Sequence, residues 1–310
     1  MRCVLLYNPA SGRQRHRHAE QIRRTADALS ALGHQVELTS TTAPGSATLQ
    51  TQGAVRGGAE VIFACGGDGT IHEVLQGLVS ETGEPSAALG IIPLGSANAL
   101  ARHLRLSLDP VQAALAQINC ASRTIPVGKV EYVGRVRYFT VMAGAGPDGA
   151  LVYDLLSAHK TTMGRWEYYL RAARLFATRR FEPFEVECAD AASGDQVTRK
   201  AVSAMAVRVG DLGGLFSRLA GGGAGVEDAQ LQLLILSGPA WLSLPLWFVC
   251  GWLGLNGVNR FLRCVKTESF ACRPVGVPSP HFEADGEWLG RIPMRVSVVR
   301  DAVRILMPDV

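Results

Sequence analysis

Over the first 125 residues, short strand-length runs alternate with helical patterns, and this alternation constrains the fold more tightly than any other feature of the chain. Runs at 3–7, 35–38, 61–64 and 88–92 have the length of buried parallel strands. The spacing between and after them predicts helices over 15–32, 47–56, 70–79, 97–104 and 109–118. Gly33 stands just past the first of these, where a left-handed cap is common. Strand–helix alternation implies a doubly wound α/β layer. Ligands of such layers sit beyond the carboxyl ends of the strands. After about residue 125 the pattern turns strand-rich. Segments 135–143, 181–189, 197–209, 231–236, 264–272, 275–283 and 294–299 read as β, interrupted by helices over 150–157 and 164–178. The fold class expected is therefore α/β, with a doubly wound N-terminal domain over 1–125 and a second, β-rich domain over 126–294.

Composition removes several classes. A hydrophobic share of 47% and a charged share of 19% suit cored domains, not a disordered or collagen-like chain. A net charge of +4 on 310 residues is too small to argue for a nucleic-acid partner. No lysine precedes Lys129; Gly128-Lys129 is followed by Val130, and no other lysine follows a glycine. A P-loop needs Gly-Lys-Ser/Thr, so that class of nucleotide enzyme is excluded. Protein-kinase signatures and the Gly-x-Ser-x-Gly elbow are missing as well. The seven cysteines are scattered with no CxxC pair, which predicts reduced, mostly buried thiols. The N-terminus has no signal-peptide core, so the expected location is the cytoplasm.

One stretch, 229–259, carries no Asp, Glu, Lys or Arg. It is broken by Gly238, Pro239, Pro245, Gly251, Gly254 and Gly257, and its most apolar part, 241–255, is shorter than the roughly 20 residues of a membrane span. A buried helix, a lipid-facing helix and a span are the three readings.

Chemistry concentrates in loops that leave the N-terminal strands. Gly66, Gly67, Asp68, Gly69 and Thr70 join a strand to a helix. Glycines admit a phosphate close to the backbone, and the helix start presents N–H groups and a positive dipole end. Asp68 can hold Mg²⁺ through water or orient the loop, and Thr70 can cap the helix or bond a phosphate oxygen. Asn8, Pro9, Ala10, Ser11 and Gly12 form a second such loop, with Arg13 the nearest cation; Gly95, Ser96, Ala97 and Asn98 form a third. Gly144, Gly146 and Gly149 match a dinucleotide fingerprint in spacing. The required βαβ context is missing, however, and Pro147 removes an N–H from the loop. Asp285, Gly286 and Glu287 put two carboxylates on one tight turn. That is either a general-base pair or an ordinary Asp-Gly hairpin.

In this order the motifs assemble into a family. The chain resembles the bacterial diacylglycerol kinase and YegS-like lipid kinases, related to sphingosine kinases, over essentially its full length. The matching residues are Asn8 to Gly12, Thr41, the Gly66–Thr70 loop with Ile71 and His72, the loop from Ile92 to Asn98 with Arg102, the helix of Gly164, Arg165, Tyr168 and Tyr169, and Asp285-Gly286-Glu287. The central motif is shared with NAD kinases; the ordered set is not. The resemblance implies a fold like that of NAD kinase and diacylglycerol kinase, with 295–310 returning to complete the first domain and catalysis in the cleft. It implies ATP at Asn8, Pro9, Ala10, Ser11, Gly12, Thr41, Gly66, Gly67, Asp68, Gly69, Thr70, Ile71, His72, Ser96 and Asn98. It implies Glu287 as proton acceptor with Asp285 beside it, and a structural Mg²⁺ at Asp228 with main-chain oxygens of Gly225 and Gln230. The expected partner is a diacylglycerol-like lipid at a membrane surface, with the protein peripheral to that membrane. Neither nucleic acid nor a stable protein partner is expected, and a homodimer is left open. Ala99 stands where the family has Asp, and His72 where it has Asn. The first departure keeps open a catalytically weak nucleotide- or lipid-binding protein; NAD kinase is the remaining alternative.

Overall fold

The computed structural model describes residues 1–9, 15–157, 174–176, 178–191, 194–210, 218–219 and 222–308. The chain divides into two compact units, Met1–Val127 with Val299–Val310, and Gly128–Val298. The α/β class expected from the sequence is the class observed, a parallel layer followed by a β-rich unit.

The first unit contains β1 (Arg2–Tyr7), α1 (Arg15–Ala31), β2 (Gln35–Ser40), α2 (Ser46–Arg56), β3 (Val61–Gly66), α3 (Asp68–Leu78), β4 (Ala88–Pro93), α4 (Ala99–His103) and α5 (Pro110–Ile118). It ends with the last part of β16 (Met294–Leu306). Strand order is β2-β1-β3-β4-β16, with every pairing from β2 to β16 parallel. Every residue of β3 and β4 is buried, which is why both read as unbroken apolar runs. β2 lies at the edge, so its polar residues are tolerated. One face of the layer is closed by α1 and α5, where Ile22, Leu29, Ala114 and Ile118 meet Leu5, Phe63 and Ile92. On α3, Glu73 accepts hydrogen bonds from Gly45 N–H (3.0 Å) and Ala47 N–H (3.2 Å) at the start of α2. Gly45 has no side chain to cap that end, so a distant carboxylate does it.

Gln117 solves a different problem. β16 reaches only Ala88 and Leu89 of β4. Beyond them Ile91 has no strand on that edge. The fully buried Gln117 of α5 takes the strand's place: its Oε1 accepts from Ile91 N–H (2.8 Å) and its Nε2 donates to Ile91 C=O (2.7 Å).

The second unit holds β5 (Ser122–Tyr132, from Gly128), β6 (Arg135–Phe139), β7 (Met142–Ala145), α6 (Pro147–Ser157), β8 (Phe184–Ala189), β9 (Gln196–Ala201), β10 (Ser203–Val207), β11 (Leu231–Leu236), α7 (Ala240–Leu253), β12 (Leu262–Thr267), β13 (Ser269–Pro274), β14 (His281–Ala284) and β15 (Glu287–Arg291), then enters β16. One sheet runs β12-β11-β10-β7-β14-β15; facing it, β16 pairs β13, β13 pairs β8 and β8 pairs β9. Phe139, Phe184, Leu233, Ile235, Phe270 and Phe282 fill the space between them. On the outer face of the six-stranded sheet, Leu244 and Trp247 of α7 pack on Met205, Val207 and Leu234. α6 lies over β7 and β14: a Cβ on Gly149 would sit 2.6 Å from the Phe282 Cα.

The structure corrects several expected strands. Segments 135–143, 197–209 and 264–272 are each two strands, β6 with β7, β9 with β10, and β12 with β13, and the two members lie in opposite sheets. Only His281–Ala284 of 275–283 is a strand, because Gly276, Pro278 and Pro280 interrupt the rest. β5 (Ser122–Tyr132) is not among the expected strands, and β16 runs past the expected end at 299 to Leu306. Of the helix predicted over 164–178, residues 174–176 and 178 are described, and they are helical. All seven cysteines are free, five of them buried. Among the described residues no helix is long and apolar enough to cross a membrane.

Replacing Gln117 with Leu would leave two buried main-chain groups of Ile91 without partners. The expected loss is about 2–4 kcal/mol in urea unfolding, with an unchanged denaturant slope.

Candidate active site

In the first unit the strand order reverses between β1 and β3, since β1 leads to β2 on one side while β3 and β4 lie on the other. The crevice at such a switch point is where α/β layers bind ligands. Asn8 and Pro9 follow β1 here, both exposed; Ala10, Ser11, Gly12 and Arg13 lie outside the described residues. Thr41, just after β2, is tied to the same edge, its N–H donating to the Tyr7 carbonyl (2.8 Å).

The loops after β3 and β4 touch each other. A Cβ on Gly67 would come within 3.1 Å of the Gly95 Cα, and a Cβ on Gly95 would run into the Gly67 backbone. Asn98 stands in the left-handed region (φ 50, ψ 49), which Asn tolerates better than most residues. It closes its loop on Gly95, accepting from the Gly95 N–H (2.9 Å) and donating to the Gly95 carbonyl (2.8 Å). Asp68 then reaches across, its Oδ1 accepting the Ala99 N–H at the start of α4 (2.8 Å). Gly67, the N-cap of α3, offers that helix no side-chain cap, and the glycine cradle leaves room over the first turn, so this edge fits an anionic phosphate. Gly66 is buried at the end of β3, whereas Gly69 and Ser96 are exposed. Thr70 donates its N–H to the Gly67 carbonyl (3.0 Å). The side chains of Ile71 and His72 turn into the core, 2% and 1% exposed, and do not join this edge.

The carboxylate turn lies in the second unit. Asp285 (φ 49) and Gly286 (φ 81) form a two-residue hairpin between β14 and β15. Asp285 is spent on the backbone. Its Oδ2 accepts the Thr140 N–H (2.9 Å), and its Oδ1 accepts the N–H groups of Val141 (2.9 Å) and Met142 (3.0 Å). Glu287 opens β15, half-buried. Glu283 braces the turn from below, its Oε2 accepting the Gly286 N–H (2.7 Å).

Two acids escaped the sequence reading. Glu283 pairs with Gly144 across the β14–β7 ladder, so both face the same side of the sheet. Asp148, in the first turn of α6, lays its carboxylate where a Gly144 side chain would be. Burial pushes Asp148 from 3.8 up to about 7, against the pull of the N–H groups of Asp148 and Gly149. Burial, together with the Asp148 charge, lifts Glu283 well above the usual carboxylate range. The glycines that mimicked a dinucleotide fingerprint thus serve packing: Gly144 seats Asp148 and Gly149 admits α6. Nearby, the Trp288 indole donates to His281 Nδ1 (3.0 Å), and the Tyr153 ring stacks on His281 at 4.4 Å. Burial, with Arg291 and Arg179, lowers His281 to about 4, so its ring is neutral and able to accept that bond.

Of the expected metal set, Gly225 (φ 106) and Asp228 share one turn. A Cβ on Gly225 would be 3.0 Å from Asp228 Oδ2, and the Asp228 N–H donates to the Gly225 carbonyl (3.2 Å). Gln230 follows, half-buried, just before β11. The buried Arg208 donates to the Val226 carbonyl (2.8 Å). Desolvation lowers it to about 10, while the charges of Asp228 and Asp285 work to keep it protonated. Among the described residues no three His, Cys, Asp or Glu side chains gather as a metal cluster, and the expected set relies on one carboxylate plus main-chain oxygens.

A parallel layer whose glycine loops after β3 and β4 meet beside its switch point is the class of α/β protein that binds ligands at that edge. Comparison points the same way: residues 2–130 match the model of the diacylglycerol kinase catalytic domain. The chain is 35% identical over 188 residues to a diacylglycerol kinase of Bacillus subtilis (strain 168), and 29% over 189 residues to one of Staphylococcus aureus (strain bovine RF122 / ET3-1). Each alignment takes in 60% of this chain and, respectively, 58% and 56% of the relative, so the chain spans little more than half the length of these relatives. A crystal structure of a diacylglycerol kinase from Bacillus anthracis str. Sterne matches 99% of this chain and 96% of its own, with a TM-score of 0.72 at 21% identity. That likeness shows the fold.

The two buried acids predict a pH dependence. Asp148 has a folded pKa above its unfolded one, so the folded chain binds the proton more tightly. Its stabilising effect is complete below about pH 4 and is lost as pH rises through about 7. Melting temperature should therefore fall across that window, and Asp148→Asn should flatten the fall. An equal slope in the variant would exclude Asp148 as its source.

Proposed function

We propose that the chain is an ATP-dependent lipid kinase that transfers the γ-phosphoryl group of ATP to a hydroxyl of a diacylglycerol-like lipid. The observation that carries this reading is the mutual approach of Gly67 and Gly95, which joins two phosphate-type loops beside the switch point and fixes Asp68 between them. In phosphoryl transfer, positioning and electrostatics supply most of the rate. Main-chain N–H groups at Gly67 and Gly69 and the Thr70 hydroxyl would bind phosphate oxygens, with Asn8, Thr41, Ser96 and Asn98 lining the nucleotide. Asp68 would hold the nucleotide's Mg²⁺, which supplies charge neutralisation when bound. The lipid hydroxyl oxygen bonds to the γ-phosphorus, the bond from that phosphorus to the bridging oxygen breaks, and ADP leaves. Glu287 takes the hydroxyl proton, and Asp285 positions Glu287 by fixing the turn. Asp228 with the main-chain oxygens of Gly225 and Gln230 is the proposed set for a structural Mg²⁺. An enzyme acting on such a lipid would work peripherally at a membrane surface.

One residue favours a second reading. Ala99 brings only its N–H to Asp68, so the carboxylate the family carries there is missing. A nucleotide- or lipid-binding protein with little turnover would fit that loss.

Labelled ATP offered with a panel of hydroxyl lipids, and with NAD as a separate arm, decides among these readings. Label in lipid is expected. ATP binding without labelled product would favour the second reading, and label in NAD would overturn both. Asp68→Asn keeps an acceptor for the Ala99 N–H but removes the charge. It and Glu287→Gln should each cut turnover by about 100-fold or more. Full activity in either variant would remove that residue from its role.

A further inference from the structure

α7 is apolar on all sides, yet only one side is buried. Leu244 and Trp247 face the sheet. The opposite side presents Trp241 (76% exposed), Val249 (51%), Trp252 (64%) and Leu253 (62%), and the turn after it adds Val258 (73%). No described residue covers this face. Single exposed apolar residues are ordinary, but two tryptophans and three aliphatics on one face mark an interaction surface. We infer that the outer face of α7 docks into the interfacial region of an anionic lipid bilayer.

Charge decides the occupant. The stretch 229–259 has no acidic residue, while exposed arginines border the patch. Arg218 donates to the Trp252 carbonyl (3.1 Å), and Arg260 lies over the Phe261 ring just beyond Val258. Anionic headgroups complement these cations, and tryptophan is favoured where an apolar body meets a polar boundary. A second copy of the chain docking through the same face would set arginines near arginines with no carboxylate from α7 between them. Length agrees with lying on a membrane: α7 has 14 residues and contains Pro245, too short to span. The inference deepens the lipid-kinase reading and rests on it only for the presence of a membrane nearby.

The experiment is co-sedimentation with phosphatidylglycerol–phosphatidylcholine vesicles, without ATP. The wild type should bind, more weakly at high salt and to phosphatidylcholine alone. Trp241→Ser with Trp252→Ser should lower partitioning about tenfold or more. Trp252→Phe should retain most of it, and Arg218→Gln with Arg260→Gln should remove the preference for anionic lipid. Circular dichroism and thermal melts establish that the variants are folded. Unchanged binding in the folded tryptophan variant overturns the inference. So does a wild-type dimer that the same variant converts to monomer in sedimentation equilibrium. Turnover of a short-chain, water-soluble diacylglycerol reports on the kinase reading separately: it should persist in the tryptophan variant, and its absence in the wild type would count against catalysis, not docking.

Discussion

The second unit depends on one carboxylate meeting main-chain N–H groups at a point where a strand changes sheet. The chain leaves β6, in one sheet, and enters β7, in the facing sheet, through Thr140 and Val141. Main-chain donors at such a crossing lose their ladder partners while still buried, and each would cost free energy if left alone. Asp285 accepts three of them. In return, the hairpin on which Asp285 sits is anchored to the core, and Glu287 is the next residue but one. The acidic turn is thus first a structural device. Its chemistry, if Glu287 is the base, rests on that anchoring.

The same crossings explain what the sequence did and did not disclose. Parallel strands buried on both faces, β3 and β4, stand out as continuous apolar runs, and the glycine loops after them mark the edge at which layers of this kind bind ligands. In the second unit an apolar run shows that residues are buried but not in which sheet. β9 passes to β10 at Val202 and β12 to β13 at Glu268 through a single residue, so each pair has the look of one continuous segment although its members enclose the core from opposite sheets. Turn chemistry gives no warning either: these breaks contain no glycine or proline. Asp148 and Glu283 were illegible for a related reason. Their environment arises from α6 folding onto the β7–β14 ladder, and the residue that unites them, Gly144, signals by lacking a side chain.

In the first unit the two loops are joined by backbone, not by complementary side chains. Gly67 and Gly95 permit the approach, and Asp68 secures it by capping α4 through the Ala99 N–H. This bond does not depend on which side chain stands at position 99. The loop geometry therefore does not depend on a carboxylate at position 99, and Ala99 brings no charge to this edge. Geometry and charge are separable at this site, and Ala99 separates them.

The outer face of the six-stranded sheet is divided between two chemistries. Under α7, Met205, Val207 and Leu234 are covered by apolar side chains. Under α6, the corresponding space holds Asp148 and Glu283. Replacing a buried polar pair with apolar residues is often neutral or stabilising, so packing alone does not call for two acids. What an apolar pair could not do is hold the Gly286 N–H, which Glu283 accepts. An ionised Glu283 beside an ionised Asp148 would be opposed by burial and by mutual repulsion, and a retained proton removes that opposition. The protonation of a pair beneath α6 is thereby tied to the brace on the turn that carries Glu287.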